Sequence, residues 1–336
     1  MRNLYIGLMS GTSRDSLDGC LVSFSNGLEI KNLETIYFSK DYQSSNNQSY
    51  ISEEITQKSI DLVKKLISNH SKENIIAIAF PGQTISHTDE FSLQAGSPEI
   101  IAKESGIPVY ADFRNFDIAH GGKGAPLIPL FHQYLLSDNS KNKLIINIGG
   151  IANGTYLKGP EIELASDVGP GNCLMDEAMR KLGLGLFDND GLLARSGNIN
   201  DEILELFMNE LQNLSYPRAD DISVYMNILE KYESEILNIA PADALCTLAE
   251  LTATKIIEFL KSCNSVDELI FHGGGTENKY LMSRIKELAA IPVKSIDDVS
   301  NTPVFWVEDL NQFAVKLKSP YQNLIDMRKS LHRFRN

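Results

Sequence analysis

The chain has only four cysteines, Cys20, Cys173, Cys246 and Cys263, scattered and never in a CxxC pair. That excludes a disulfide framework and points to reduced thiols in a cytoplasm. It has no block of Lys or Arg that can track a phosphate backbone, and its formal net charge is −13. Nucleic acid and anionic membranes are therefore not expected as partners. No apolar run approaches the ~20 residues of a membrane span. The opening residues, Met1-Arg2-Asn3-Leu4-Tyr5-Ile6-Gly7-Leu8, lack the long apolar core and small-residue cleavage site of a signal peptide. Neither a GxxxxGKS/T string nor a well-placed GxGxxG is present, so P-loop and Rossmann readings lose support. No segment is of low complexity.

What is present is ordinary for a globular protein: 43% apolar and 22% charged residues over 336 positions. That length accommodates two domains more readily than one core. Leu4 to Met9 reads as a short buried strand closed by Ser10-Gly11-Thr12-Ser13. Cys20 to Phe24 reads as a second strand, with Asp18-Gly19 as a tight turn between the two. Helical spacing of Ile51, Ile55, Ile60, Leu62, Val63, Leu66 and Ile67 predicts a long helix over 47–69. Further strands are expected at 74–80, 107–111, 143–148, 161–164 and 268–271, and helices at 127–136, 201–211 and 241–262. The glycine- and proline-rich stretch 119–126 reads as an ordered loop at a domain junction.

Three glycine turns stand out, near positions 10, 149 and 273, each after a buried strand. A turn without Cβ atoms lets backbone N–H groups approach an anion closely, which grips phosphate with few positive charges. One such turn also ends strands for purely structural reasons. Three, with the first two far apart in the chain, resemble the duplicated cleft of the actin-like ATPases. The first turn adds the hydroxyls of Ser10, Thr12 and Ser13 and the carboxylates of Asp15 and Asp18. Hydroxyls donate to phosphate oxygens, and carboxylates beside a phosphate site suit Mg²⁺ or its waters. Both aspartates serve equally well as turn formers.

Seven strings occur in order: 7–13 (GLMSGTS), 112–114 (DFR), 121–127 (GGKGAPL), 147–153 (NIGGIAN), 169–172 (GPGN), 247–252 (TLAELT) and 273–275 (GGG). Together they resemble the anhydro-N-acetylmuramic acid kinases over nearly the whole chain. The resemblance implies an α/β, two-domain actin-like (ribonuclease H-like) ATPase fold with an interdomain nucleotide cleft. Expected domains are 1–130 and 131–317, with a C-terminal helix at about 318–336 packing back on the first. It implies an enzyme that uses ATP, Mg²⁺ and water to open 1,6-anhydro-N-acetylmuramic acid, giving N-acetylmuramic acid 6-phosphate, in a cytoplasmic homodimer that recycles cell-wall fragments.

By the same resemblance Gly11, Thr12, Ser13, Arg14, Asp15, Ser16, Leu17 and Asp18 cradle ATP, with Asp18 as a metal candidate. Asn147, Gly149, Gly150 and Asn153 face the phosphates. Gly273, Gly274, Gly275 and Asn278 hold adenosine. The catalytic aspartate just before Gly-Pro-Gly-Asn falls at Asp167, whose carboxylate suits a base that takes a proton from attacking water. Taken alone, Asp167 serves as well to cap a helix beginning near Pro170. Gln83, Asp112, Arg114, Gly169, Asn172 and Asn311 are the sugar-side candidates. Arg114 suits a lactyl carboxylate as a bidentate donor, or a salt bridge with Asp112 or Asp117. His87 and His120 read as structural.

The chain departs from the family pattern on the sugar side. Pro81 stands where the family has His, Val168 replaces a threonine, Asp221-Ile222-Ser223-Val224 replaces a Thr-Gly-Arg/Lys-Glu segment, and Asn311 stands where a glutamate is expected. These departures keep two alternatives open: a kinase of this fold acting on another sugar, and a catalytically silent binding paralogue.

Overall fold

The computed structural model describes residues 4–299 apart from 12, 13, 26, 27, 89, 213 and 214. The described residues fall into two compact units, one ending at Phe131 and the other spanning His132–Val299. The expected terminal helix at 318–336 and Asn311 lie outside the described residues, as do Thr12 and Ser13.

The N-terminal unit contains strands β1 (Leu4–Ser10), β2 (Ser16–Ser23), β3 (Glu29–Tyr37), β4 (Ile75–Ala79), a hairpin β5 (Gln83–His87) and β6 (Ser92–Ala95), and β7 (Val109–Tyr110). Five of them form one sheet in the order β3-β2-β1-β4-β7. The C-terminal unit contains β8 (Lys143–Ile148), β9 (Ile151–Lys158), β10 (Glu161–Pro170), β11 (Glu268–His272) and β12 (Val293–Ser295). Their order is β10-β9-β8-β11-β12. In each unit the first three strands are antiparallel neighbours and the last two join in parallel. The same strand order and the same directions thus occur twice. This is the ribonuclease H-like, actin-like α/β fold implied by the resemblance.

Parallel strands need a crossover, and in both units a long helix supplies it. Gln48–Leu66 precedes β4, and Pro241–Ser262 precedes β11. The first starts at Asn47, whose side chain accepts from the N–H groups of Ser49 and Tyr50. The second has Pro241 in its first turn, where a missing N–H is harmless. Each helix lies so close to the second strand of its sheet that only glycine fits. A Cβ on Gly19 would come within 2.8 Å of Leu66 and 2.9 Å of Leu62, and one on Gly154 within 2.3 Å of Phe259.

That packing corrects the reading of Asp18-Gly19 as a turn. Both residues lie inside β2, and the connection from β1 is the 11–15 segment. A glycine required for helix approach looks, in sequence, like one required for a turn. The strand expected at 161–164 runs on to Pro170, so Asp167 is a strand residue and not a helix cap. Asn172 occupies the N-cap of the following helix, Cys173–Lys181. Each unit has its own core. Ile6, Leu8, Leu21, Ile55, Leu62 and Ile78 lie in the first, and Ile146, Ile148, Leu174, Leu248, Phe259 and Phe271 in the second. No helix among the described residues is long and apolar enough to cross a membrane.

Candidate active site

The first glycine turn is anchored from below. Ser10 is buried at the end of β1 and donates its hydroxyl to Gln83 Oε1 at 2.7 Å, while Gln83 Nε2 donates to the Gly11 carbonyl at 3.1 Å. Gln83, expected to meet a sugar hydroxyl, is fully buried and spends its amide on the turn. Arg14 adopts a left-handed φ of 55°, and its Nη1 donates to the Ser45 carbonyl at 2.8 Å. Its N–H closes the turn on the Gly11 carbonyl at 3.2 Å. Asp15 Oδ1 accepts from the Ser16 N–H at 3.0 Å, the turn-forming role. The Leu17 side chain is in the core. Asp18 accepts from Thr35 Oγ1 at 2.8 Å and from Ser16 Oγ at 3.2 Å. Burial raises its pKa, opposed by those two hydroxyls, and the neighbouring Asp15 raises it further.

On the expected sugar side, Asp112 has φ 59° at the head of the helix Phe113–Ala119, and its Oδ1 accepts from Asn115 at 2.7 Å. Arg114 Nη1 donates to the Gly124 carbonyl at 3.0 Å, and Asp117 Oδ2 accepts from the Gly124 N–H at 2.8 Å. Both therefore hold the glycine-rich loop. A cavity of about 200 Å³ opens at Asp112 and Asn115, lined also by Pro81, Gly82, Leu93 and Ala111 among others. The departure at Pro81 thus lies on a cavity wall. His87 Nδ1 meets Ser92 Oγ at 3.0 Å, and His120 Nδ1 meets the Phe116 carbonyl at 2.7 Å.

The C-terminal unit assembles more of the expected set. Asp167 pairs across the strands with Asn153, Asn153 with Asn147, and Asn147 with His272. Directly opposed residues share a sheet face. The proposed base and two phosphate-facing candidates therefore stand in one row. Asn153 Oδ1 is buried without a hydrogen-bond partner, an unsatisfied acceptor within that row. At the strand ends the carbonyl of Gly149 accepts from the Asn172 N–H at 2.8 Å, and that of Gly150 from the Gly171 N–H at 2.9 Å. These bonds lock the Gly149-Gly150 turn to Gly-Pro-Gly-Asn. The Gly150 N–H, antiparallel to the Gly149 carbonyl across their trans peptide, points the other way.

The glycines divide by what surrounds them. A Cβ on Gly274 would meet nothing within 4 Å, and one on Gly149 nothing nearer than 3.5 Å. Their backbones are open to a ligand. Gly171, Gly273 and Gly275 are instead enclosed: a Cβ would come within 2.2 Å of the Gly149 carbonyl, of Asn147 Oδ1 and of Ile148 Cγ2 respectively. A Cβ on Gly169 would lie 3.0 Å from the Cβ of Lys255. Asn278 caps the helix Lys279–Ala289, its Oδ1 accepting from the Leu281 N–H at 3.0 Å.

Asp167 itself is 6% exposed. Its N–H donates to the Arg218 carbonyl at 3.0 Å, and its Oδ2 accepts from the Asp220 N–H at 2.7 Å. Arg218 and Asp220 escaped the sequence reading. Their one signal was a charged cluster, Arg218-Ala219-Asp220-Asp221, that looks like any solvated loop. Below the third turn lies a second unforeseen group. His132 and His272, both fully buried, meet Nε2 to Nε2 at 2.9 Å, and His132 Nδ1 meets Thr155 Oγ1 at 2.8 Å. Burial pushes the His272 pKa down to about 3, and burial with the His272 neighbour holds His132 well below its ordinary value. No group of three or more His, Cys, Asp or Glu among the described residues is placed to hold a metal ion.

The model of the family described as "Anhydro-N-acetylmuramic acid kinase" matches residues 3–315. The chain belongs to the anhydro-N-acetylmuramic acid kinase family. Relatives of that description from Hydrogenovibrio crunogenus and Shewanella woodyi are 36% and 35% identical to it. The matches cover 89% and 92% of this chain and 87% and 90% of those relatives. Among solved structures, component A of the (R)-2-hydroxyglutaryl-CoA dehydratase of Acidaminococcus fermentans gives a TM-score of 0.49 at 9% identity, covering 92% of this chain and 95% of that one. A ROK family protein from Streptococcus pneumoniae gives 0.42 at 9% identity, covering 95% and 100%. The family is one of ATP-dependent phosphotransferases, which places this chain among the kinases.

Proposed function

We propose that this chain uses ATP and water to open 1,6-anhydro-N-acetylmuramic acid and delivers N-acetylmuramic acid 6-phosphate and ADP. The observation that carries the reading is the row Asp167–Asn153–Asn147, set beside Gly149, where an added Cβ would meet nothing nearer than the Ile151 carbonyl at 3.5 Å. Asp167 takes a proton from water as the water oxygen bonds to the anomeric carbon. The bond from that carbon to O6 breaks, and O6 attacks the γ-phosphorus while ADP leaves. The buried, unsatisfied Asn153 Oδ1 is a ready acceptor for a donor arriving beside the base.

The donor set does not suit a resident metal. Both oxygens of Asp18 already accept hydroxyls, and no cluster of ligands is present among the described residues. Mg²⁺ fits as an ion carried in on the nucleotide, held chiefly by phosphates and waters, where it neutralises phosphoryl charge. The cavity at Pro81 and Asp112 is the sugar-side candidate within the N-terminal unit. We read the protein as a cytoplasmic homodimer on the family resemblance, and sedimentation of the purified chain tests the second half of that.

The deciding experiment is ADP release with Mg·ATP and the anhydro sugar, for wild type and Asp167→Asn side by side. Sugar-dependent release by wild type, reduced ~10²- to 10⁴-fold in the variant as for loss of a general base, supports substrate and base together. Silence from both removes this acceptor.

A further inference from the structure

We propose that Asp220, locked by Arg218 and Tyr225, is a positioning device that aims the carboxylate of Asp167. The inference rests on the reading of Asp167 as the base, and it concerns residues to which no role has been assigned. The segment 216–221 runs beside the end of β10 and is stitched to it from both sides. The Asp167 N–H donates to the Arg218 carbonyl at 3.0 Å, and the Arg218 N–H donates to Ser166 Oγ at 2.9 Å. Ser166 Oγ in turn donates to the Asp167 carbonyl at 2.7 Å. The decisive bond is the one from the Asp220 N–H to Asp167 Oδ2, at 2.7 Å. A main-chain donor on a charged acceptor fixes the rotation of the carboxylate about its last torsion, which is otherwise broad.

That donor is itself immobilised by its own side chain. Asp220 Oδ2 accepts from Arg218 Nε at 2.9 Å and from the Tyr225 hydroxyl at 2.5 Å. The Tyr225 pKa is raised, chiefly by burial, so the phenol stays neutral and keeps donating. Arg218 Nη2 reaches back across the segment to the Val168 carbonyl at 2.7 Å. One guanidinium thus bridges the strand residue after the base and the residue whose N–H holds the base. The assembly is interior: Arg218 is 7% exposed and Tyr225 fully buried. The Tyr216 ring lies over the guanidinium, its centre 5.3 Å from Arg218 Cζ. A surface ion pair gives no such rigidity.

A displacement of about 1 Å in a reacting group costs up to ~10²-fold in rate, so the effect of loosening this clamp belongs on kcat. The gentlest probe is Tyr225→Phe, which removes one hydrogen-bond donor to Asp220 and little volume. The second is Arg218→Met, with Arg218→Lys as the conservative comparison, since an ammonium cannot span Val168 and Asp220 together. Sugar-dependent ADP release is expected to show kcat down several-fold in Tyr225→Phe and ~10- to 100-fold in Arg218→Met, with KM for ATP unchanged. Lysine recovers little of it.

A readout that needs no turnover accompanies this: the Asp220 backbone amide in the ¹H–¹⁵N spectrum of the labelled full chain. A short N–H to a carboxylate shifts its proton far downfield. That shift is expected to be present in wild type, to collapse in Asp167→Asn and to weaken in Tyr225→Phe. If wild type does not turn over the anhydro sugar while the amide behaves as stated, the substrate reading falls and the clamp stands. Folded variants that lose thermal stability but keep wild-type kcat, or an Asp220 amide indifferent to Asp167→Asn, overturn the clamp.

Discussion

At the scale of single residues, glycine carries two opposite messages in this chain. Gly274 is exposed with open space where a Cβ would lie, whereas at Gly275 that atom would sit 2.2 Å from Ile148 Cγ2. A branched core side chain cannot retreat as a long surface one can. Gly275→Ala is therefore expected to cost about 1–3 kcal/mol by overpacking, seen in urea unfolding. Gly274→Ala should leave the unfolding midpoint in place and raise KM for ATP several-fold, because its methyl group intrudes only on a ligand. Equal effects of the two substitutions on stability would remove this distinction. In sequence the two residues are neighbours in one Gly-Gly-Gly string. Only the position of Ile148 separates them.

At the scale of elements, the buried histidine pair joins three pieces of the C-terminal unit. His132 comes from the helix Pro129–Leu136, Thr155 from β9 and His272 from β11. An Nε2-to-Nε2 bond needs one ring to donate and the other, unprotonated at Nε2, to accept. In the unfolded chain both rings take up protons near pH 6.5, while His272 resists protonation down to about 3 when folded. The unfolded state therefore binds more protons below pH 6.5. The contribution is fully present above that pH and is lost on acidification toward the folded value. The His272 ring should cost about 2 kcal/mol of unfolding free energy between pH 6.5 and 5, and His132 acts in the same direction. Denaturant titrations across that range should show a slope that flattens in His272→Gln. An identical slope in both proteins would mean that carboxylates alone set the acid sensitivity. Sequence reading passed over both histidines because they lie 140 positions apart and form no recognisable spacing.

At the scale of the whole molecule, the duplicated strand order gives each unit a sheet whose glycine turns follow buried strands. A nucleotide that binds the native chain and not the unfolded one stabilises it by mass action. Mg·ATP at ~100 times its dissociation constant should add about 2.7 kcal/mol to the unfolding free energy. Differential scanning fluorimetry against ATP concentration reads this directly. Asp167→Asn should retain the shift, because its carboxylate is assigned to water and not to ATP. A melting temperature indifferent to ATP would argue against nucleotide binding even if the family's fold is intact.

Much of this protein was legible in the chain. The periodic stretch at 47–69 and the run at 241–262 fixed two crossover helices through core-facing side chains, and continuous apolar runs fixed β1, β4, β8 and β11. The glycine strings and the aspartate before Gly-Pro-Gly-Asn were enough to place the family. Local pattern carries that much because helix and strand periods depend on near neighbours. Tertiary structure decided the rest. It showed that Gly19 and Gly154 make room for helices, and that Gln83 and Asn278 brace the backbone. It also set Arg218, Asp220 and Tyr225 around Asp167. Those partners come from positions about 50 residues further on, brought together only when the strand end and the loop close on one another. A hydrogen bond between distant residues leaves no periodic trace in the sequence, so its geometry has to be seen in the fold.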